Sequence, residues 1–101
     1  MTLPDARIAD DSDSQDAALS RVSVARRSPA GRYWLAIAAD ERARIAAAVP
    51  DGHRLVLATG LRAKPGTVTV SLRDASNSDV REPARGYLTP ALCWRVLRAA
   101  A

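Results

Sequence analysis

The sequence predicts an α+β fold: a four-stranded antiparallel sheet of two hairpins, with two helices on one face, in the order ββαββα. Three observations lead there. Four stretches space apolar residues two apart on one face, the period that a half-buried strand requires. Two Pro- and Gly-bearing turns, at residues 28–31 and at Pro65-Gly66, join those stretches in pairs. Two further stretches space their apolar residues three and four apart behind a capping residue, the signature of amphipathic helices.

In chain order, residues 1–18 predict an acidic, disordered arm, because Asp10-Asp11-Ser12-Asp13-Ser14 is too polar to repay the entropy of ordering. The remaining chain, residues 19–101, predicts one small domain. Residues 20–27 form the first strand, with Val22 and Val24 on one face. Ser28-Pro29-Ala30-Gly31 suits a type I turn, and residues 32–38 form the second strand, with Tyr33, Leu35 and Ile37 on one face and Trp34 on the other. Asp40 is placed to cap a helix over residues 41–49, whose buried stripe is Ile45 and Val49, and Pro50-Asp51-Gly52 ends it. Residues 54–59 form the third strand, with Leu55 and Leu57 inward. Pro65-Gly66 supplies a type II turn, and residues 67–73 form the fourth, with Val68, Val70 and Leu72 inward and Thr67, Thr69, Ser71 and Arg73 outward. Residues 74–88 read as a long loop. Thr89 caps a last helix that has Pro90 at its first position and Leu92, Cys93, Val96 and Leu97 on one side.

Charge is divided unevenly along the chain. Residues 1–16 hold five Asp against Arg7, a local charge of −4, whereas residues 17–101 hold fourteen basic groups against six acidic ones, a local charge of +8. A basic body of that size suits an acidic partner. Arginine predominates over Lys64, partly as expected of a GC-rich coding sequence, and it also recognises phosphate and carboxylate through a planar fork. The core is expected to be thin, since there is no Phe and alanine fills twenty-one positions, so a homodimer that buries more apolar area is expected. The single Cys93 excludes an intrachain disulfide and fits a reducing, cytoplasmic setting. No apolar run reaches the roughly 18 residues of a membrane span, so no membrane partner is expected.

Catalytic chemistry finds no constellation. His53 is the only histidine and stands in a turn context, so no His cluster holds a metal, and neither a nucleophile elbow nor a glycine-rich phosphate loop occurs. The expected role is therefore non-enzymatic, with no cofactor and no small-molecule substrate. Arg21, Arg26, Arg27, Arg32, Arg54, Arg62, Lys64 and Arg73 all lie on or beside the expected strands, a distribution suited to tracking a nucleic-acid backbone. The alternative is a single protein partner, bound by an inhibitor or adaptor of the kind that small phage and mobile-element proteins provide. Its surface would be Trp94, Arg95 and Arg98, off the apolar stripe of the last helix, with Trp34 and the loop at 74–88, since Trp and Arg anchor interfaces.

The order hairpin, short helix, hairpin over residues 20–73 partly resembles the swapped-hairpin DNA-binding domains of the AbrB and MazE type. The resemblance rests on Glu41-Arg42-Ala43-Arg44, Val49-Pro50-Asp51-Gly52 and Arg54-Leu55-Val56-Leu57 at compatible spacing. The Ile-Pro that opens the helix in those domains is missing, the second strand is about four residues longer, and the last helix is additional. The resemblance implies an interleaved homodimer that places arginines of the first hairpin on DNA.

Overall fold

The computed structural model describes residues 21–60 and 62–98. The elements are β1 (Val22–Val24), α1 (Pro29–Ala36), α2 (Ala39–Ala47), β2 (Arg54–Ala58), β3 (Thr67–Arg73), β4 (Ala84–Tyr87) and α3 (Pro90–Arg98). The fold is α+β. Its four strands lie in the spatial order β1-β2-β3-β4, with β2/β3 and β3/β4 antiparallel and β1/β2 parallel. The expected acidic arm at residues 1–18 falls outside the described residues.

The C-terminal two-thirds follows the alternation closely. Leu55 pairs with Leu72 and Leu57 with Val70, so the inward residues of β2 and β3 share one face, and all four are buried. The turn before β3 is closed by the Thr67 amide donating to the Lys64 carbonyl at 3.0 Å, with Gly66 at φ +90°, the left-handed position a type II turn demands. Thr89 Oγ1 accepts from the Leu92 amide at 3.3 Å, and α3 buries Leu92, Cys93, Val96 and Leu97 against the sheet. Each fully buried aliphatic side chain here contributes about 1.5–3 kcal/mol.

The N-terminal third departs from the expectation. Residues 32–38 do not form a strand: they fall in α1 and the turn after it. Ser28-Pro29 is not a turn but an N-cap followed by proline at the first helical position, with Ser28 Oγ accepting from the Gly31 amide at 3.1 Å. Ala30, Trp34 and Ile37 recur at helical spacing and are buried, whereas Leu35, which shares a face with Ile37 in the strand reading, is 59% exposed. With the second strand gone there is no first hairpin. The chain instead crosses through α1 and α2, and β1 enters the sheet parallel to β2, as a crossover connection permits. The order is therefore βααβββα rather than ββαββα, and the arrangement implied by the swapped-hairpin resemblance does not form within the chain.

Two smaller corrections follow. The N-cap of α2 is Ala38, not Asp40, which lies inside the first turn and accepts from the Glu41 amide at 2.9 Å. The stretch 74–88 is not all loop, because Ala84–Tyr87 forms β4. The buried side chains of α1, α2, α3 and of the inner sheet face form a single core centred on Ile45, Leu55, Val70, Leu72 and Cys93. All three helices thus contribute to one side of the sheet. No described helix is long and apolar enough to cross a membrane.

Candidate nucleic-acid interface

Parallel pairing of β1 with β2 decides where the basic residues meet. Parallel strands finish at the same end of a sheet, so the loop that follows β1 and the hairpin that follows β2 emerge side by side. The first carries Arg26 and Arg27, and α1 behind it carries Arg32. The second carries Arg62 and Lys64. All five are exposed.

Local contacts fix both segments. Ser28 donates to the Ala25 carbonyl from its amide at 3.0 Å and from Oγ at 2.6 Å, which folds the Arg26-Arg27 turn back onto β1. Gly31 packs directly under the carbonyls of Ala25 and Arg26, an approach that leaves no space for a side chain. Thr59 Oγ1, just past β2, accepts from the Ala30 amide at 3.0 Å and so ties the start of α1 to the second segment. On the hairpin, Thr67 Oγ1 donates to the Lys64 carbonyl at 2.6 Å, and Lys64 Nζ stands 5.7 Å from the centre of the Tyr87 ring.

The described segments that build this end carry no carboxylate. Residues 25–39, 52–73 and 84–98 contain no Asp or Glu. The carboxylates Asp51, Asp74, Asp79 and Glu82 lie around the opposite end, before β2 and between β3 and β4. None of Arg26, Arg27, Arg32, Arg62 and Lys64 forms an ion pair with a described residue.

The other three arginines assigned to nucleic acid from the sequence lie at that opposite end and are engaged internally. Arg21 donates to the Val49 carbonyl at 3.0 Å and pairs with Asp51 at 2.8 Å, clamping the entry of β1 to the end of α2. Arg54 and Arg73 face each other across β2 and β3, a like-charge pairing that is relieved from the loop beyond. Asn77 Oδ1 accepts from Arg54 at 2.9 Å and from Arg73 at 3.4 Å, and Asp79 lies 3.3 Å from Arg73 Nε.

The surface assigned to a protein partner divides. Trp34 is 6% exposed and belongs to the core of its own chain, so it presents no surface. Trp94 is half-buried, and its Nε1 donates to Glu41 Oε2 at 2.9 Å, joining α3 to α2. Arg44 takes the other oxygen of Glu41, and this pair of donors, Trp94 first, holds the Glu41 carboxyl below its usual range. The Arg98 guanidinium lies 5.6 Å from the centre of the Trp94 ring. Arg95 turns away from both, toward β4, where it lines a hollow of about 390 Å³ with Arg81 and Pro83.

Arg81 and Arg85 were missed from the sequence. The signal was present: Ala84 and Gly86 alternate with Arg85 and Tyr87, but two small residues mark an inward face weakly. His53 stays in its turn, with Nδ1 2.9 Å from the Asp51 carbonyl oxygen. Cys93 is fully buried, and burial pushes its thiol up to about 11. Comparison with protein-family models, with curated proteins and with solved structures gives no match to this chain.

Proposed function

We propose that the protein is a non-enzymatic module that binds a nucleic-acid backbone at the loop end of its sheet. One observation carries this reading: Arg26, Arg27, Arg32, Arg62 and Lys64 gather on two adjacent, internally braced segments from which carboxylates are absent. Such a surface concentrates positive potential, and phosphates bound to it release counterions. It uses five of the eight basic residues expected from the sequence, since Arg21, Arg54 and Arg73 serve the fold at the far end.

The alternative, an inhibitor or adaptor that covers a partner with Trp94, Arg95 and Arg98, has less support, because Trp94 is bonded to α2 and Arg98 lies over the Trp94 ring. The test is fluorescence anisotropy with labelled double-stranded DNA and single-stranded RNA at two salt concentrations. Five phosphate contacts give a log–log salt slope of about −4.5 on duplex DNA, so affinity falls roughly 500-fold between 50 and 200 mM salt. Changing Arg26, Arg27 and Arg32 to Ala reduces that slope by about three, while Arg54→Ala leaves it unchanged. Absence of binding at low salt, or equal effects of the two sets, overturns the reading.

A further inference from the structure

We propose that the groove between the free edge of β4 and α3 accepts an extended acidic segment of a partner protein, which adds to β4 as a fifth strand. The site is separate from the basic loop end and does not depend on it.

β4 is an edge strand. It pairs only with β3 among the described residues, so its outer side carries unpaired amides and carbonyls. α3 runs beneath it, and the two enclose a groove made of hollows of about 390 and 360 Å³ that meet at Arg95. The groove stays open because the inward residues of β4 are Ala84 and Gly86. A Cβ built on Gly86 would come no closer than 3.9 Å to Leu92. An exposed strand edge above an open trough is the geometry of peptide recognition by strand addition, where main-chain bonds give affinity and alternate side chains give specificity.

Charge selects the occupant. Arg81, Arg85 and Arg95 border the groove against one carboxylate, Glu82. Arg81 lines the groove and its guanidinium has no ion pair with a described residue, which leaves its charge for an incoming carboxylate. A second copy pairing β4 against β4 is disfavoured, because antiparallel self-pairing about this short strand brings Arg85 close to its own symmetry mate. A phosphate backbone is a poor fit as well: it offers acceptors only and would leave the strand's outward carbonyls unpaired, whereas a peptide supplies donors and acceptors in turn. Successive side chains of an added strand point to opposite faces. Carboxylates on the lower face of the segment meet Arg81 and Arg95, and one on the upper face meets Arg85.

The test is an NMR titration of the full chain with a synthetic seven-residue peptide of Glu, Val and Thr that carries Glu at both odd and even positions, and so on both faces of an added strand, beside a counterpart that carries Lys in place of Glu. The acidic peptide is expected to shift amides confined to residues 84–95 and to slow amide exchange in β4. Arg85→Glu and Arg95→Glu, both at exposed positions, are each expected to weaken binding about tenfold with an unchanged far-ultraviolet circular dichroism spectrum. The Lys peptide is expected to give no shifts. Shifts centred on Arg26 and Arg62, or binding that survives both charge reversals, overturn the proposal. So do outward-facing β4 amides, those not bonded to β3, that are already protected in the peptide-free chain. Protection in a dimer would assign the edge to a second copy. Protection in a monomer that is lost when Asp10, Asp11, Asp13 and Asp16 become Asn would assign it to the chain's own N-terminal segment.

Discussion

Replacing Gly31 with Ala tests the contact on which the basic end is built. Gly31 lies inside α1 without a positive φ, so in an isolated helix the change would stabilise by about 0.8–1 kcal/mol. Here the added Cβ would stand 2.5 Å from the Arg26 carbonyl oxygen and 2.8 Å from its carbon, and closer still to the Ala25 oxygen. These are main-chain atoms held by β1 pairing and by two hydrogen bonds from Ser28, so the strain is not released by a rotamer change. Overpacking of this kind costs about 1–3 kcal/mol and sometimes more, and with backbone on both sides the upper end applies. After subtraction of the helix gain, the expected net loss is about 2 kcal/mol, roughly a thirtyfold fall in the folding equilibrium. Urea denaturation followed by far-ultraviolet circular dichroism measures it. Gly60→Ala is the control, because its Cβ would meet Ala63 at an ordinary 3.5 Å and should change stability by less than about 0.5 kcal/mol. A Gly31→Ala variant as stable as the native chain, or more so, would refute the close approach of α1 to the Arg26-Arg27 turn.

Three further perturbations address other contacts. Thr59→Val leaves the Ala30 amide without its acceptor and is expected to cost about 1–2 kcal/mol in the same urea assay, with a neutral result counting against the tie between β2 and α1. Glu41 has its folded pKa below the usual 4.5, so its contribution to stability is present above that value and is lost as pH falls through the folded pKa. Stability measured from pH 6 down to pH 3 should therefore decline less steeply in Glu41→Gln than in the native chain, and parallel curves would refute the Trp94 and Arg44 contacts as its cause. The Cys93 thiol has its folded pKa raised from 9.0 to about 11, so its contribution to stability is full below pH 9 and is lost as pH rises toward 11. At pH 8 a thiol reagent should label it only through unfolding, and fast labelling under native conditions would contradict its burial.

How far the fold was legible in the sequence depended on whether each signal had one meaning. Val68, Val70 and Leu72 alternate with Thr67, Thr69 and Ser71 over a full strand, and no helical spacing competes there. Thr89-Pro90 reads as a helix start because Leu92, Cys93, Val96 and Leu97 follow at helical spacing. Ser28-Pro29 is the same pair of residue types with the same function, yet Gly31 two residues on also completes a turn, and residues 33–37 satisfy both periods. Tyr33, Leu35 and Ile37 alternate, while Ala30, Trp34 and Ile37 recur as on a helix. Packing broke the tie: the helix buries the indole of Trp34, while Leu35 remains exposed. The parallel entry of β1 followed from that choice and is invisible locally. Of the candidate site, the residue types were legible and the grouping was not. Arg21 and Arg26 are five residues apart but lie at opposite ends of a strand, and Arg32 and Arg62 are thirty apart but stand on neighbouring segments.

The sense of the +8 charge changes once its bearers are sorted. Arg21, Arg44 and Arg73 pair with Asp51, Asp40, Glu41 and Asp79, Arg42 donates to the carbonyls that end α1 at Leu35 and Ile37, Arg54 reaches Asn77, and Arg98 covers Trp94. Most of the body's carboxylates are thereby occupied by arginines that hold elements together. Apart from Arg98, the set of basic residues with no ion pair and no side-chain hydrogen bond to a described residue is not spread over the surface. It falls to Arg26, Arg27, Arg32, Arg62 and Lys64 at one end of the sheet, and to Arg81, Arg85 and Arg95 beside the free edge of β4. Solubility alone does not require this segregation, since mixed charges serve it as well. Two concentrated basic sites, one flanked by flexible-length cationic side chains on loops and the other by a backbone edge with donors and acceptors, suit two different anions. The loop end complements a phosphate chain, which is uniform and acceptor-only. The strand edge complements a polypeptide, which must be read residue by residue.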